Sequence, residues 1–138
     1  MSRPGFAMGM PRPQSLVLTA LAGAALTAFA DKTGFLQVRM PQRAKVIGVT
    51  LNVNQRGGTH STSTLDVLAG GSSVLATAFD VAGLTPGTPV DKEGTALASA
   101  AADIAKDTLI RVTLVEDSGS SPTWADVTLQ IDYVPLGD

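Results

Sequence analysis

Cysteine is absent from the chain, and histidine and tryptophan occur once each. Without cysteine there is neither a disulfide framework nor a thiolate metal site, so packing and hydrogen bonds alone must hold the fold. The single imidazole, His60 in GGTHSTST, falls short of a transition-metal site, which needs several imidazole or soft ligands. Any Ser-His-Asp arrangement has to use that same residue, with Ser61 or Ser63 and an acid such as Asp66. The surrounding sequence has no G-x-S-x-G elbow to present a nucleophile. A base without an orienting group and an oxyanion hole does not make a site. Aromatic residues amount to 4%, too few to furnish the platforms on which sugars or unpaired bases stack. Asp103, Asp107, Glu116 and Asp117 do not fall into a D-x-D-x-D-G calcium loop. The glycine pairs sit in hairpin-like breaks with no helix following, which removes the phosphate cradle. We therefore expect no catalytic residue, no metal, no cofactor and no enzyme.

Long hydrophobic runs are also scarce, with one exception, Leu16 to Ala30. Arg3 and Arg12 precede it, and Ala28-Phe29-Ala30 before Asp31 has the small-x-small pattern of an export cleavage site. The run is too short to span a bilayer, because fifteen helical residues reach about 22 Å against a hydrocarbon core of about 30 Å. It is read here as a structural segment of the working molecule. The Pro/Gly-rich stretch SRPGFAMGMPRPQ ahead of it is read as an arm that lies against something.

Charge is thin and unevenly placed. Charged residues make up 16% of the chain, below the usual quarter. Residues 1–45 carry six basic groups against Asp31 alone, while residues 46–138 carry four basic and eleven acidic ones. The basic first third has no Lys/Arg cluster and no interleaved aromatics, so neither a nucleic-acid nor a membrane partner is expected; a neighbouring protein surface is.

What the chain does have is period-two alternation. In AKVIGVTLNVN, Ile47, Val49, Leu51 and Val53 share one face; in TLIRVTLVE, Ile110, Val112 and Leu114 do; in WADVTLQIDYV, Val127, Leu129, Ile131 and Tyr133 do. Shorter strands are expected over 35–39, 63–69 and 73–79, with one or two more in Leu16 to Ala30. AGLTPGTPVDKEG, with two prolines, reads as an irregular excursion, and ALASAAADIAKD over 96–107 as the one helical candidate. Seven or eight strands without βαβ alternation predict an all-β, antiparallel β-sandwich of the jelly-roll kind. The division expected is an N-terminal arm with first strands over 1–34 and the sandwich over 35–138.

Over residues 35–136 the order of these segments resembles the jelly-roll decoration, or cement, proteins on the heads of tailed bacteriophages. The resemblance lies in a Pro-bounded strand entering AKVIGVTLNV, a Gly/Ser/Thr connection into STLDVLAGGSSVLAT, the strand KDTLIRVTL and the closing ADVTLQIDYV. It implies a non-enzymatic virion protein on the outer capsid surface, bound across joints between major capsid proteins and stabilising the mature shell. The contacts expected to capsid or neighbour are Arg3, Phe6, Met8, Met10, Arg12, Leu16, Leu18 and Phe29. Arg39, Arg43 and Lys45 form a secondary basic patch. Self-association is expected as well, a homodimer ahead of a trimer. Two alternatives stand beside this reading: a secreted β-sandwich adhesin or binding module with residues 1–30 as signal peptide, and another virion component such as a head fibre or tail part.

Overall fold

The computed structural model describes residues 12–20, 26–27, 32–57, 63–81, 83–116 and 123–137. Two strands organise it. β4 (Ala44–Gly57) and β10 (Thr123–Pro135) pair antiparallel along their whole length, from Gly57 opposite Thr123 to Ala44 opposite Pro135. The free edge of β10 takes β1 (Gln14–Ala20), which pairs with 127–133, and β2 (Leu26–Thr27), which continues the same line against 123–124. On the far side, β4 takes β8 (Val90–Glu93). The second sheet runs in the order β3 (Lys32–Arg39), β9 (Leu109–Glu116), β5 (Ser63–Ala69), and its last edge is made of two short pieces, β6 (Ser72–Ser73) and β7 (Phe79–Asp80).

This pairing is one long antiparallel hairpin rolled up. β1 meets β10, β3 meets β9, β4 meets β8 and β5 meets β6 and β7; rolling adds the contacts of β10 with β4 and of β9 with β5. That is a jelly roll, the expected fold. Its head is the two-residue loop Gly70-Gly71, where both φ angles are positive, at 58° and 96°. The primed turn that closes a tight hairpin demands this geometry, and glycine adopts it without strain.

The core follows from alternation. Val127, Leu129, Ile131 and Tyr133 of β10 are buried and face Leu65 and Val67 of β5 and Ile110 and Val112 of β9, with Met40, Phe79, Val81 and Ile104 filling the ends. β4 departs from the expected face in one place. Val49, Leu51 and Val53 are buried as read, but Ile47 is not their companion; Val46 and Ala44 are, at 2% and 0% exposed. Asp132 opposes Gly48 and Tyr133 opposes Val46, so Ile47 is the extra residue of a β-bulge, and every side chain before it changes face.

Three further expectations are corrected. The strand expected over 73–79 is broken between β6 and β7, because Val74 and Leu75 are adjacent and both buried, which a continuous strand cannot do. The excursion 82–94 contains the edge strand β8. The stretch 96–107 forms no α-helix; only short 3-10 turns occur, at Gly94–Ala96 and Ser99–Ala101. Its backbone bonds leave the segment: Ala98 N–H donates to Val74 O at 2.9 Å, and Ala44 and Ile104 exchange bonds at 2.9 and 2.8 Å. Alanine's helix preference, a few tenths of a kcal/mol per residue, yields to burying Leu97, Ala101 and Ile104 against the sheets.

Leu51→Ala empties a fully buried position and is expected to cost about 2–5 kcal/mol in denaturant unfolding. Ile47→Ala is expected to cost well under that, because Ile47 stands on the bulge; equal losses would contradict the bulge.

Candidate interaction surface

β1 sorts its own side chains. Leu18 is 7% exposed and belongs to the core, and Leu16 packs half-buried against it, so neither offers a neighbour much apolar area. This corrects the expectation for Leu18 in particular. The outward residue between them is Val17, 61% exposed, which sequence reading passed over. Alternation alone would have found it: if Leu16 and Leu18 face the core, Val17 cannot. Arg12 is exposed just ahead of the strand. Arg3, Phe6, Met8, Met10 and Phe29 lie outside the described residues, as does His60.

The secondary basic patch is engaged within the chain. Arg43 forks onto Asp103, with Nε and Nη2 donating to the two carboxylate oxygens at 2.9 and 2.8 Å. This bidentate geometry is the favourable one for guanidinium and carboxylate. Arg39 donates from Nη1 to the carbonyl of Asp107 at 2.9 Å. Asp107 is the one described non-glycine residue with positive φ, 68°, a conformation Asp tolerates better than most. Both arginines thus strap the β3–β4 connection to the segment 103–108, alongside the backbone bonds of Met40 with Thr108 and Asp107. Lys45 is exposed, and with Ile47, Leu97, Ala98 and Ala101 it lines a shallow, mostly apolar trough of about 290 Å³.

The outer faces of the two sheets differ in charge. On the sheet of β1, β10, β4 and β8, the register sets Ser15, Asp132, Gly48 and Glu93 in one row and Val17, Gln130, Thr50 and Asp91 in the next. Ser15 Oγ and Gln130 Nε2 both donate to Asp132 Oδ1, at 2.6 and 2.9 Å, and Thr50 Oγ1 donates to Asp91 Oδ1 at 2.7 Å. Lys92, between the two acids of β8, lies instead over the Phe79 ring, 5.3 Å from its centroid, within cation–π range. On the opposite sheet, Arg39 and Arg111 stand outward, while Asp66 accepts from Ser73 Oγ at 2.6 Å and from the Val67 N–H at 2.8 Å. One face is acidic and hydroxyl- or amide-rich, while the other mixes Arg39 and Arg111 with Asp66 and Asp80. Among the described residues no group of three or more His, Cys, Asp or Glu side chains converges to hold a metal ion. The described surface offers contact area and charge.

No protein-family model and no curated protein matches the chain. Solved structures do. A chain of the cyanophage Pam1 capsid asymmetric unit is similar at 19% identity and TM-score 0.52, with 98% of this chain and 92% of that chain covered. VP2 in the subviral particle of infectious bursal disease virus is similar at 15% identity and TM-score 0.45 over 94% of this chain and 37% of that one. A subunit of the disulfide-linked pili of Bacillus endospore appendages gives 16% identity and TM-score 0.33, with 98% and 99% covered. At 19% identity the likeness to the Pam1 chain is one of fold, an antiparallel sandwich that also occurs in a viral capsid.

The Arg43–Asp103 strap carries a pH signature. The hydrogen bond from Arg43 holds the Asp103 carboxyl below its ordinary value; it outweighs the opposing desolvation, and the guanidinium charge adds a smaller lowering effect. Its contribution is present at neutral pH, where the carboxylate is ionised in folded and unfolded chains alike. It is lost as pH falls from the unfolded value, about 3.9, through the lowered folded one. Asp103→Asn should remove that part of the acid-induced loss of stability, measured by thermal unfolding between neutral pH and pH 3. A variant with the wild-type acid profile would show that the strap contributes nothing.

Proposed function

We propose that this chain is a non-enzymatic virion structural protein that binds the outer surface of a bacteriophage capsid across joints between major capsid proteins and stabilises the mature shell. The observation that carries the reading is the end-to-end likeness to a chain of the Pam1 capsid asymmetric unit, in which a chain of nearly this length and of similar fold occurs within a capsid. The surface supports it. The jelly roll presents two broad polar faces, one acidic and one of mixed charge, and a protein that works by adhesion needs nothing more.

The physical logic is linkage. A protein that binds only the mature lattice lowers the free energy of that lattice by RT ln(1 + [L]/Kd) at each site, and the many sites act together. The segment ahead of β1 is the gripping extension, with Arg3 and Arg12 positioning it and Phe6, Met8 and Met10 supplying apolar burial. Phe29 and Lys45 add to the contact. Arg39 and Arg43 serve the chain's own loops first and reach a neighbour only with the charge left exposed. The partners are the major capsid protein and a second copy of the chain.

The test is co-sedimentation of the purified protein with expanded shells of its own virus that lack it. The full chain should saturate a fixed number of sites per shell and raise the temperature at which shells break. A chain lacking residues 1–11 keeps every described strand and should fold, yet bind at least about tenfold more weakly, a loss of about 1.4 kcal/mol per site. Failure of the full chain to bind would overturn the proposal, and undiminished binding by the shortened chain would overturn the role of the extension.

Removing residues 1–30 is a different experiment. It takes β1 and β2 from β10, strips Leu18 from the core and bares the edge of the central strand. The product should aggregate or unfold well below the melting temperature of the full chain, read by thermal scattering.

A further inference from the structure

The four sheet edges of this sandwich are built unequally. β8 is four residues long and three of them are charged: Asp91, Lys92 and Glu93. β6 and β7 are two residues each. β3 carries Lys32 and Arg39 and is interrupted where residues 34 and 35 have no partners on β9. Short length, charge and bulges are the devices by which proteins keep strand edges from pairing with other chains. β1 has none of them. It is seven residues, QSLVLTA, without a charge, a proline or a bulge, in unbroken register with β10, and no described strand pairs with its outer edge. At its midpoint stands Val17, the most exposed large hydrophobic residue described.

The sequence of β1 is nearly the same read in either direction about that midpoint: Ser15-Leu16-Val17-Leu18-Thr19. Two antiparallel copies related by a twofold axis at Val17 bring Leu16 opposite Leu18, Ser15 opposite Thr19 and Val17 opposite Val17. Over residues 15–19 each position then meets its own chemical kind, Gln14 meets Ala20 at the ends, and no charge opposes a like charge. We propose that the outer edge of β1 is a homodimer interface, in which β1 of a second copy adds antiparallel in this register and joins the two sheets into one. The pairing satisfies the unpaired N–H and C=O groups along both edges. It sets the two Val17 side chains side by side on the outer face, and it continues the row of Leu16 and Leu18 across the axis on the inner face. Isologous pairing of this kind closes at two copies. The inference deepens the self-association proposed above and does not depend on the capsid contact: a dimer that ignores shells would remove the capsid contact alone, and a monomer that decorates them would remove self-association alone.

Sedimentation of the full chain over a range of concentrations should show a monomer–dimer equilibrium. Val17→Lys faces two ammonium groups across the axis and places charge on the edge, and it should raise the dimer dissociation constant at least about tenfold while the melting temperature of the monomer holds. Because the chain has no cysteine, Val17→Cys supplies a lone thiol whose only partner is its copy across the axis, and mild oxidation should link it into a covalent dimer. Ser15→Cys is the register control. Two such residues stand about 13 Å apart in this pairing, four residues along the strand, and should not link. A chain that stays monomeric at all concentrations, a trimer, a Val17→Lys dimer as tight as the wild type, or linkage through Ser15→Cys in place of Val17→Cys would overturn the proposal.

Discussion

Everything in the sandwich hangs on the pairing of β10 with β4. These are the two longest strands, and each carries a further strand on its other side, so the whole first sheet is fixed once their register is fixed. Their inward residues make up a large part of the core: Val127, Leu129, Ile131 and Tyr133 from one, Val46, Val49, Leu51 and Val53 from the other. With no disulfide and no metal ligated by sulfur, a slip of one residue here would turn that apolar set toward water. The Ile47 bulge shows how closely the constraint is met. The strand absorbs one extra residue so that Val46 and Ala44 still reach the interior.

Charge is placed around this core with a division of labour. Arg39 and Arg43 act locally, tying the connection between β3 and β4 to the segment 103–108, where an unfavourable backbone conformation at Asp107 needs support. Lys92 turns onto Phe79 and leaves Asp91 and Glu93 to give the outer face of the first sheet its sign. Asp132 is fixed from two sides by Ser15 and Gln130, which also ties edge strand β1 to the centre of its sheet. The surface that results is ordered by these local contacts.

Period-two alternation reveals the long strands because it reflects a sheet with one face buried. Ser63–Ala69 is legible to the residue, and so are the inward positions Ile110 and Val112 of β9 and those of β10. The bulge is not, since AKVIGVTLNVN alternates on paper straight through Ile47, and only the partner strand reveals which residue is extra. The stretch 96–107 misled for a related reason. Leu97, Ala101 and Ile104 recur at helical spacing, yet their burial is set by two separate neighbours, Leu75 and Ala44, which pull the backbone into bridges. Among the expected contact residues, Leu16 and Leu18 are hydrophobic but face the core. Their burial shows that the informative residue on an edge strand is the apolar one facing away from the core, Val17. The arginines were visible as charge but not as pairs, because Asp103 lies sixty residues from Arg43.

The proposed capsid role is measured most directly by a cryo-EM map of mature phage particles assembled with this chain. The account predicts density for the jelly roll on the outside of the head, seated over joints between major capsid proteins, with the residues ahead of β1 running along the shell. Density for this fold only in the tail or inside the head, or a mature particle that contains none of the protein, would contradict it.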